Sequence, residues 1–435
     1  MTHAESPASS VCLDVGSTWT KAVLVHADGA LAGFAEHPTT PADVLTGMDA
    51  AVRAVSAAGL PGTGIEPELL ACSSAGGGLR LAVVGTDRLA SIEAGHRVAR
   101  SAGSHVVHVH SGPLEAADVR ILRSCRPGVV LLLGGGDGDD PAVLLHNAGR
   151  LARARVRYPI VLAGNVAARD DALALLRATG RTVVVCDNVL PQTGVVVPGQ
   201  ARKVVSELFA RHVLGARGPA AAPRFRRLVR VVTPDAVGRG AAELSRITAT
   251  GVLVVDVGCA TTDVHVATTG GANAGLRRRT VEGDLGVRAA ACGVLVEGQS
   301  EGIVDPVEAD LLTPTVERMA GEVGYVPRNP GGAAEDRRIA ALAAVIAVRR
   351  HLRAHDDTAR DIGLLVLSGG VFRQRDPGGL AAVIATLRTD PVLAPMLAEV
   401  PVVVDADFAV APAGLLAAHG RSAAAEALLR DHLLG

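Results

Sequence analysis

Two short stretches of the chain share one chemical grammar. Residues 13–21 read Leu-Asp-Val-Gly-Ser-Thr-Trp-Thr-Lys, and residues 252–263 read Val-Leu-Val-Val-Asp-Val-Gly-Cys-Ala-Thr-Thr-Asp. In each, an apolar run ends in an aspartate, a glycine follows two residues later, and hydroxyl side chains come next. The first run predicts a buried strand at 11–15 with a return strand at 21–25. Gly16 allows a tight turn in which backbone N–H groups and the hydroxyls of Ser17 and Thr18 converge on a phosphate. Asp14, at the mouth of that turn, suits a carboxylate that holds a hydrated Mg2+, and Lys21 can reach the phosphates from the next strand. The second copy repeats the pattern with Asp256, Gly258, Thr261 and Thr262. One such turn is an ordinary hairpin; two facing each other across a cleft would grip a polyphosphate and its metal from both sides.

That pairing resembles the actin, Hsp70 and sugar-kinase superfamily of ATPases, whose third element is a strand ending in Gly-Gly against the nucleotide. Residues 364–371, Leu-Leu-Val-Leu-Ser-Gly-Gly-Val, fit that element and follow in the right order. The resemblance implies an α/β chain with an actin-like ATPase fold, two ribonuclease-H-like halves around an ATP cleft. It also implies that Ser368, Gly369 and Gly370 border the adenosine, with ATP and Mg2+ as cofactors.

Bulk properties set bounds on the rest. At 435 residues the chain is long enough for two or three domains with substantial cores, and 49% hydrophobic residues exclude a disordered protein. Aromatic residues are only 2%, so Ala, Val and Leu must fill those cores. A net charge of −1 supplies no basic field for nucleic acid or an anionic membrane surface. No apolar run approaches the ~20 residues of a membrane span, and the first residues lack the pattern of a signal peptide. A cytoplasmic protein with neither nucleic-acid nor membrane partners is therefore expected. The six cysteines are scattered and form no C-x-x-C pair, so reduced and mostly buried thiols are expected. Cys259, inside the second turn, is the one placed to be oxidation-sensitive.

Between the two turns the rhythm changes to strand and helix in alternation. Apolar strands at 129–133, 160–163 and 183–186 separate helices at 141–155, 169–179 and 198–214, which indicates a small parallel sheet covered on both faces. The expected organisation is a first ATPase half at 1–86, an inserted doubly wound α/β module at 87–222, and a second ATPase half at 223–435, with a linker at 215–224. Gly76 to Gly78 follow a strand and can either approach a nucleotide or partner or simply turn the chain. The loop 134–140 is acidic and lacks the G-x-x-x-x-G-K-[ST] pattern, so it is no P-loop. His108 and His110 share a strand face but have no carboxylate or cysteine cluster nearby in sequence, so a metal there is not expected. Residues 280–286, Thr-Val-Glu-Gly-Asp-Leu-Gly, offer Glu282 and Asp284 either to orient water or Mg2+ or to cap a helix. A turn at 328–332 and an Ala-rich helix at 336–354 precede the Gly369-Gly370 strand, and 411–416 suits the superfamily's second connecting helix at the hinge.

With these residues in view, the chain resembles the MutL/GlmL family, accessory proteins encoded with glutamate mutase and unrelated to mismatch-repair MutL. The carrying stretches are 13–21, 131–147 with His146-Asn147, 162–165, 256–265 and 279–288. Two positions depart from the family pattern: Cys259 stands where a second glycine is usual, and 134–140 replaces Gly-Gly-Thr-Asp-Gly-Gly-Asn. Asp263-Val-His265 is similar to the cobalamin motif Asp-x-His-x-x-Gly, but Thr268 stands at its glycine position. The resemblance implies an ATP-dependent chaperone, or reactivating factor, for an adenosylcobalamin-dependent mutase, with glutamate mutase the first candidate. It would use slow ATP hydrolysis and ATP-driven domain movement to release damaged cobalamin. On that reading Gly16, Ser17, Thr18, Lys21, Gly258, Thr261 and Thr262 hold the phosphates. Asp14 and Asp256 position Mg2+ and the attacking water, assisted by Asp263, Glu282 or Asp284. A small-molecule kinase of the same fold and a non-hydrolysing assembly scaffold are the alternatives.

Overall fold

Runs of Val, Leu and Ile, most of them fully buried, make the strands. The computed structural model describes residues 9–40, 43–59, 67–74, 79–100, 104–154, 158–180, 182–192, 194–201, 204–205, 207–208, 223–269, 277–355, 362–373 and 377–435. In chain order the strands are β1 (Ser10–Val15), β2 (Trp19–Val25), β3 (Leu31–Pro38), β4 (Glu68–Ser73), β5 (Leu79–Gly85), β6 (Ser104–Ser111), β7 (Val129–Leu132) and β8 (Ile160–Leu162). They continue with β9 (Val183–Val185), β10 (Val229–Val232), β11 (Gly251–Val257), β12 (Thr262–Ala267), β13 (Arg277–Glu282), β14 (Ile362–Ser368) and β15 (Val402–Val404).

The first sheet has the order β3-β2-β1-β4-β10, with β1, β2 and β3 antiparallel and β4 and β10 parallel to β1. The second, β13-β12-β11-β14-β15, repeats both the order and every direction. An antiparallel hairpin and edge strand followed by two parallel strands on the other side is the ribonuclease-H-like pattern. Its duplication in one chain is the actin-like ATPase fold. The third sheet, β6-β5-β7-β8-β9, is wholly parallel and doubly wound.

The chain forms two compact units. One comprises Met1–Gly77 with Val213–Gly435 and holds the first two sheets; the other, Gly78–His212, holds the third. The division differs from the boundary expected at residue 86, because β5 pairs with β6 and β7 and thereby belongs to the parallel sheet. Gly76 to Gly78 and residues 215–222 lie outside the described residues, while 223–228 form a helix where a linker end was expected.

Within the larger unit, a cluster of buried side chains joins the two repeated sheets. Cys12, Val23 and Leu70 of the first meet Val254 and Val366 of the second through Ala236, Val237, Ala413 and Leu416. Those last four lie on the helices Thr233–Thr248 and Val410–Ala418, which cross at backbone distance. A Cβ on Gly240 would collide with the Val410 carbonyl, and one on Gly414 with the Ala236 carbonyl. The Ala-rich helix starts at Pro330, earlier than expected: the Asn329 side chain caps the Gly332 N–H at 2.8 Å, with Pro330 at the first helical position. Its residues 339–348 are all buried, so small side chains on every face let this helix run through the second core.

Candidate functional site

The two aspartate–glycine hairpins are built alike in backbone detail. The Gly16 N–H donates to the Trp19 carbonyl at 3.0 Å, and the Gly258 N–H to the Thr261 carbonyl at 2.8 Å. A Cβ on Gly16 would stand 2.7 Å from the Trp19 oxygen, and one on Gly258 3.0 Å from the Thr261 oxygen. Both turns therefore need glycine for space. In the antiparallel register Asp14 faces Lys21, and Asp256 faces Asp263.

That register corrects the expected match of hydroxyls. Ser17 and Thr18 correspond to Cys259 and Ala260, so the second turn carries a thiol and a methyl where the first carries hydroxyls. Thr262 corresponds to the buried Thr20, and its hydroxyl donates to the Leu285 carbonyl at 2.7 Å, inside the core. Thr20 likewise meets the Thr39 hydroxyl at 2.9 Å. Thr39 then braces the first turn by donating its hydroxyl to the Gly16 carbonyl at 2.9 Å and its N–H to that of Thr18 at 2.8 Å.

Four buried or half-buried carboxyl groups gather around these turns. Asp14 is buried; its Oδ1 accepts the Thr233 hydroxyl at 2.6 Å, and its Oδ2 lies 3.7 Å from the Lys21 ammonium. The surrounding protein holds the Asp256 carboxyl above the usual carboxylate range; Lys21 opposes that rise and Asp14 adds to it. Asp263 is pushed up to about 8, by burial first and then by Asp256. The Thr261 hydroxyl bonds to the Asp263 carboxyl group, yet its Oδ1 is buried with no hydrogen-bond partner.

The fourth carboxyl, Asp405, was not anticipated. It follows β15 and accepts the N–H groups of Ala409 at 2.5 Å and Val410 at 3.3 Å, at the start of the helix Val410–Ala418. Its Oδ2 also accepts the Ser368 hydroxyl at 3.3 Å. Burial raises it to about 6 in spite of those N–H groups, and Asp256 adds to the rise. The sequence signal was slight: an aspartate closing the run Val-Val-Val at 402–404, a few residues before a helix.

Ser368 lies in register with Asp256, which places the end of β14 beside the second turn. Gly369 adopts φ +126°, and a Cβ there would collide with the Val257 carbonyl; Gly370 is exposed with open space where a side chain would be. Glu282 and Asp284, by contrast, are held away from free solvent chemistry by Arg350 on the helix Pro330–Ala354. Its Nη1 lies 2.8 Å from Glu282 and 3.1 Å from Asp284, its Nε 3.0 Å from Glu301, and its Nη2 against Glu297.

Among the described residues, no three His, Cys, Asp or Glu side chains form a ready metal cage. A Mg2+ that keeps several waters and phosphate oxygens needs only one or two carboxylates, however. Asp14 and Asp256, with the unpartnered oxygen of Asp263 beside them, fit that requirement. The open space at Gly370 fits a ligand approaching the end of β14.

The chain matches the family model described as MutL protein over residues 10–433. It is 33% identical over 297 residues to Protein MutL of Clostridium tetanomorphum, an alignment covering 64% of each chain. Similar solved structures include the ATP-dependent caprolactamase from Pseudomonas jessenii, at 15% identity over 96% of this chain and 70% of that one, TM-score 0.41. Others are the nucleotide-free diol dehydratase-reactivating factor, at 12% identity over 95% and 99%, TM-score 0.36, and a ROK family glucokinase from Streptomyces griseus in complex with glucose and AMPPNP, at 12% over 97% and 99%, TM-score 0.34. At scores this low the likenesses carry no argument, and the fold stands on its own strand order. The near-complete family match decides identity: this chain belongs to the MutL protein family.

Proposed function

We propose that the chain is an ATP-dependent reactivating factor for an adenosylcobalamin-dependent mutase, with glutamate mutase the first candidate. The observation that carries this reading is the duplicated hairpin, with Asp14 and Asp256 at the same register in two sheets of the same topology. Membership of the MutL family supports the choice of partner. The N–H groups of the two turns and the hydroxyls of Ser17 and Thr18 receive the β- and γ-phosphates of ATP, and Lys21 leaves Asp14 to neutralise them. Asp14 and Asp256 are the residues that hold Mg2+, which when bound neutralises phosphate charge. Asp263 orients the attacking water, and Gly369 and Gly370 give the adenosine room. Thr261 serves by holding Asp263, and Thr262, Glu282 and Asp284 by bracing the second turn and its strand. This reading places the site in the cytoplasm.

The test is phosphate release from Mg·ATP by the full chain with no acceptor, beside Asp14→Ala. Slow release that the variant loses, followed by ATP-dependent release of cobalamin from inactivated glutamate mutase, is the expected result. Binding without hydrolysis, or hydrolysis with no effect on the mutase, would overturn it.

A further inference from the structure

Lys21 contacts Asp14 on its own sheet and an aromatic ring from the other half. Its ammonium lies 3.7 Å from Asp14 and 4.0 Å from the centroid of the Phe408 ring. Phe408 comes after β15 and two residues before the helix Val410–Ala418, so this cation–aromatic pair spans the two repeated halves. A second pair crosses in the opposite direction. Arg373, after β14, lies 4.0 Å over the ring of Phe34 on β3, bonds Glu36 at 3.4 Å, and donates to the Ala406 carbonyl at 2.8 Å.

Phe408 is also in an unusual backbone state. Its φ is +58°, in the left-handed region that a bulky side chain adopts only when its surroundings over-determine it. Several restraints do so here. The Asp405 carboxylate fixes the next two N–H groups, the Phe408 N–H reaches the Asp405 carbonyl at 3.4 Å, and Lys21 sits on the buried ring. The core around the ring, the Arg373 bond to the Ala406 carbonyl and the Ser368 bond to Asp405 hold the segment from outside as well. Of these outside restraints the cation is the one that phosphate can draw away.

We infer that Phe408 is a positioning residue for Lys21: in the empty site it holds the ammonium by its ring face, and when the ammonium moves to phosphate the freed segment 405–409 passes the change to the helix Val410–Ala418. The inference rests on the ATP reading above. The two contacts compete for one cation, so phosphate binding must first break the contact with the ring. Because a cation over a buried ring contributes appreciably, loss of the ring should tighten nucleotide binding about three- to tenfold. A residue with a purely structural role would weaken it instead.

The test uses the full chain with Mg·AMPPNP and reads affinity by calorimetry and amide hydrogen exchange over 405–418. In the wild type, AMPPNP should bind and change exchange in 408–418. Phe408→Leu, which keeps an apolar side chain and removes the ring, should bind more tightly and start from an already raised exchange that AMPPNP alters little. Wild type that binds AMPPNP with unchanged exchange in 408–418 overturns the inference alone, whatever the variant does. Folded Phe408→Leu that binds equally or more weakly does the same. A wild type that binds no AMPPNP overturns the ATP reading and this inference together.

Discussion

Cys72 and Ser368 are counterparts: each lies on the fourth strand of its sheet in register with the loop aspartate, Cys72 with Asp14 and Ser368 with Asp256. The thiol is a weak donor, 3.6 Å from Asp14 Oδ1. The short bond from Thr233 supplies what the thiol does not. Thr233→Val should therefore leave the Asp14 carboxylate under-satisfied and lower stability by about 1–3 kcal/mol in urea unfolding. Cys72→Ser, which restores the residue found in the second sheet, should make the same Thr233→Val change less costly in a double-mutant cycle.

Asp263 predicts a pH dependence with a definite sign. Its carboxyl is raised from the ordinary 3.8 to about 8, so across that window the folded chain keeps a proton that the unfolded chain has released. Stability from this group is thus greatest at low pH, falls as pH rises through the window, and is flat above it. Asp263→Asn removes that fall. At pH 8 the variant should be more stable than the wild type by an amount on the order of 2 kcal/mol, with a smaller difference at pH 5. Thermal melts at the two pH values check it.

The Arg350 network separates a structural from a catalytic role for Glu282. Arg350→Met takes away the guanidinium that Glu282, Asp284, Glu297 and Glu301 share. It should cost about 3–5 kcal/mol, as removing one partner of a buried pair does. Glu282→Gln should lower stability while leaving phosphate release from Mg·ATP within about twofold, a rate change worth under ~0.5 kcal/mol. A Glu282→Gln protein of normal stability and no hydrolysis would reassign the residue to the chemistry.

Thiol accessibility gives a footprint of the second turn. Cys12 and Cys72 are buried, and burial pushes the Cys12 thiol up to about 12, so both should resist alkylation. Cys259 is partly exposed and Cys292 exposed. N-ethylmaleimide labelling of Cys259, read by peptide mass spectrometry, should slow severalfold when Mg·AMPPNP is present, while labelling of Cys292 stays unchanged as the internal control.

The hairpins were legible because their residues state both strand and turn: an apolar run, an aspartate, then a glycine that space requires. What escaped the sequence depends on partners far along the chain. The strand Arg277–Glu282 carries three arginines in a row and has no apolar alternation, so Glu282 was open to a water-orienting or a helix-capping role when it is the last residue of an edge strand facing Thr262. The apolar strand Leu79–Gly85 announced itself as a strand, but nothing local says which sheet it joins. Asn329-Pro330 read as a turn because a cap and a turn use the same residues, and only the buried run at 339–348 decides between them. Asp405 gave only a slight signal because its importance lies in its place beside Ser368 and Asp256, which no local pattern states, as well as in the nearby N–H groups of Ala409 and Val410.

The crossing of the helices Thr233–Thr248 and Val410–Ala418 has one more consequence. Where Gly240 faces Val410 and Gly414 faces Ala236, no side chain lies between the two backbones. The helices cannot draw closer there, and drawing apart would open a void with nothing to fill it. The motion left to them is rotation about the crossing, which therefore acts as an axle. Were the two halves to turn about it, Gly240 and Gly414 at the crossing would move least.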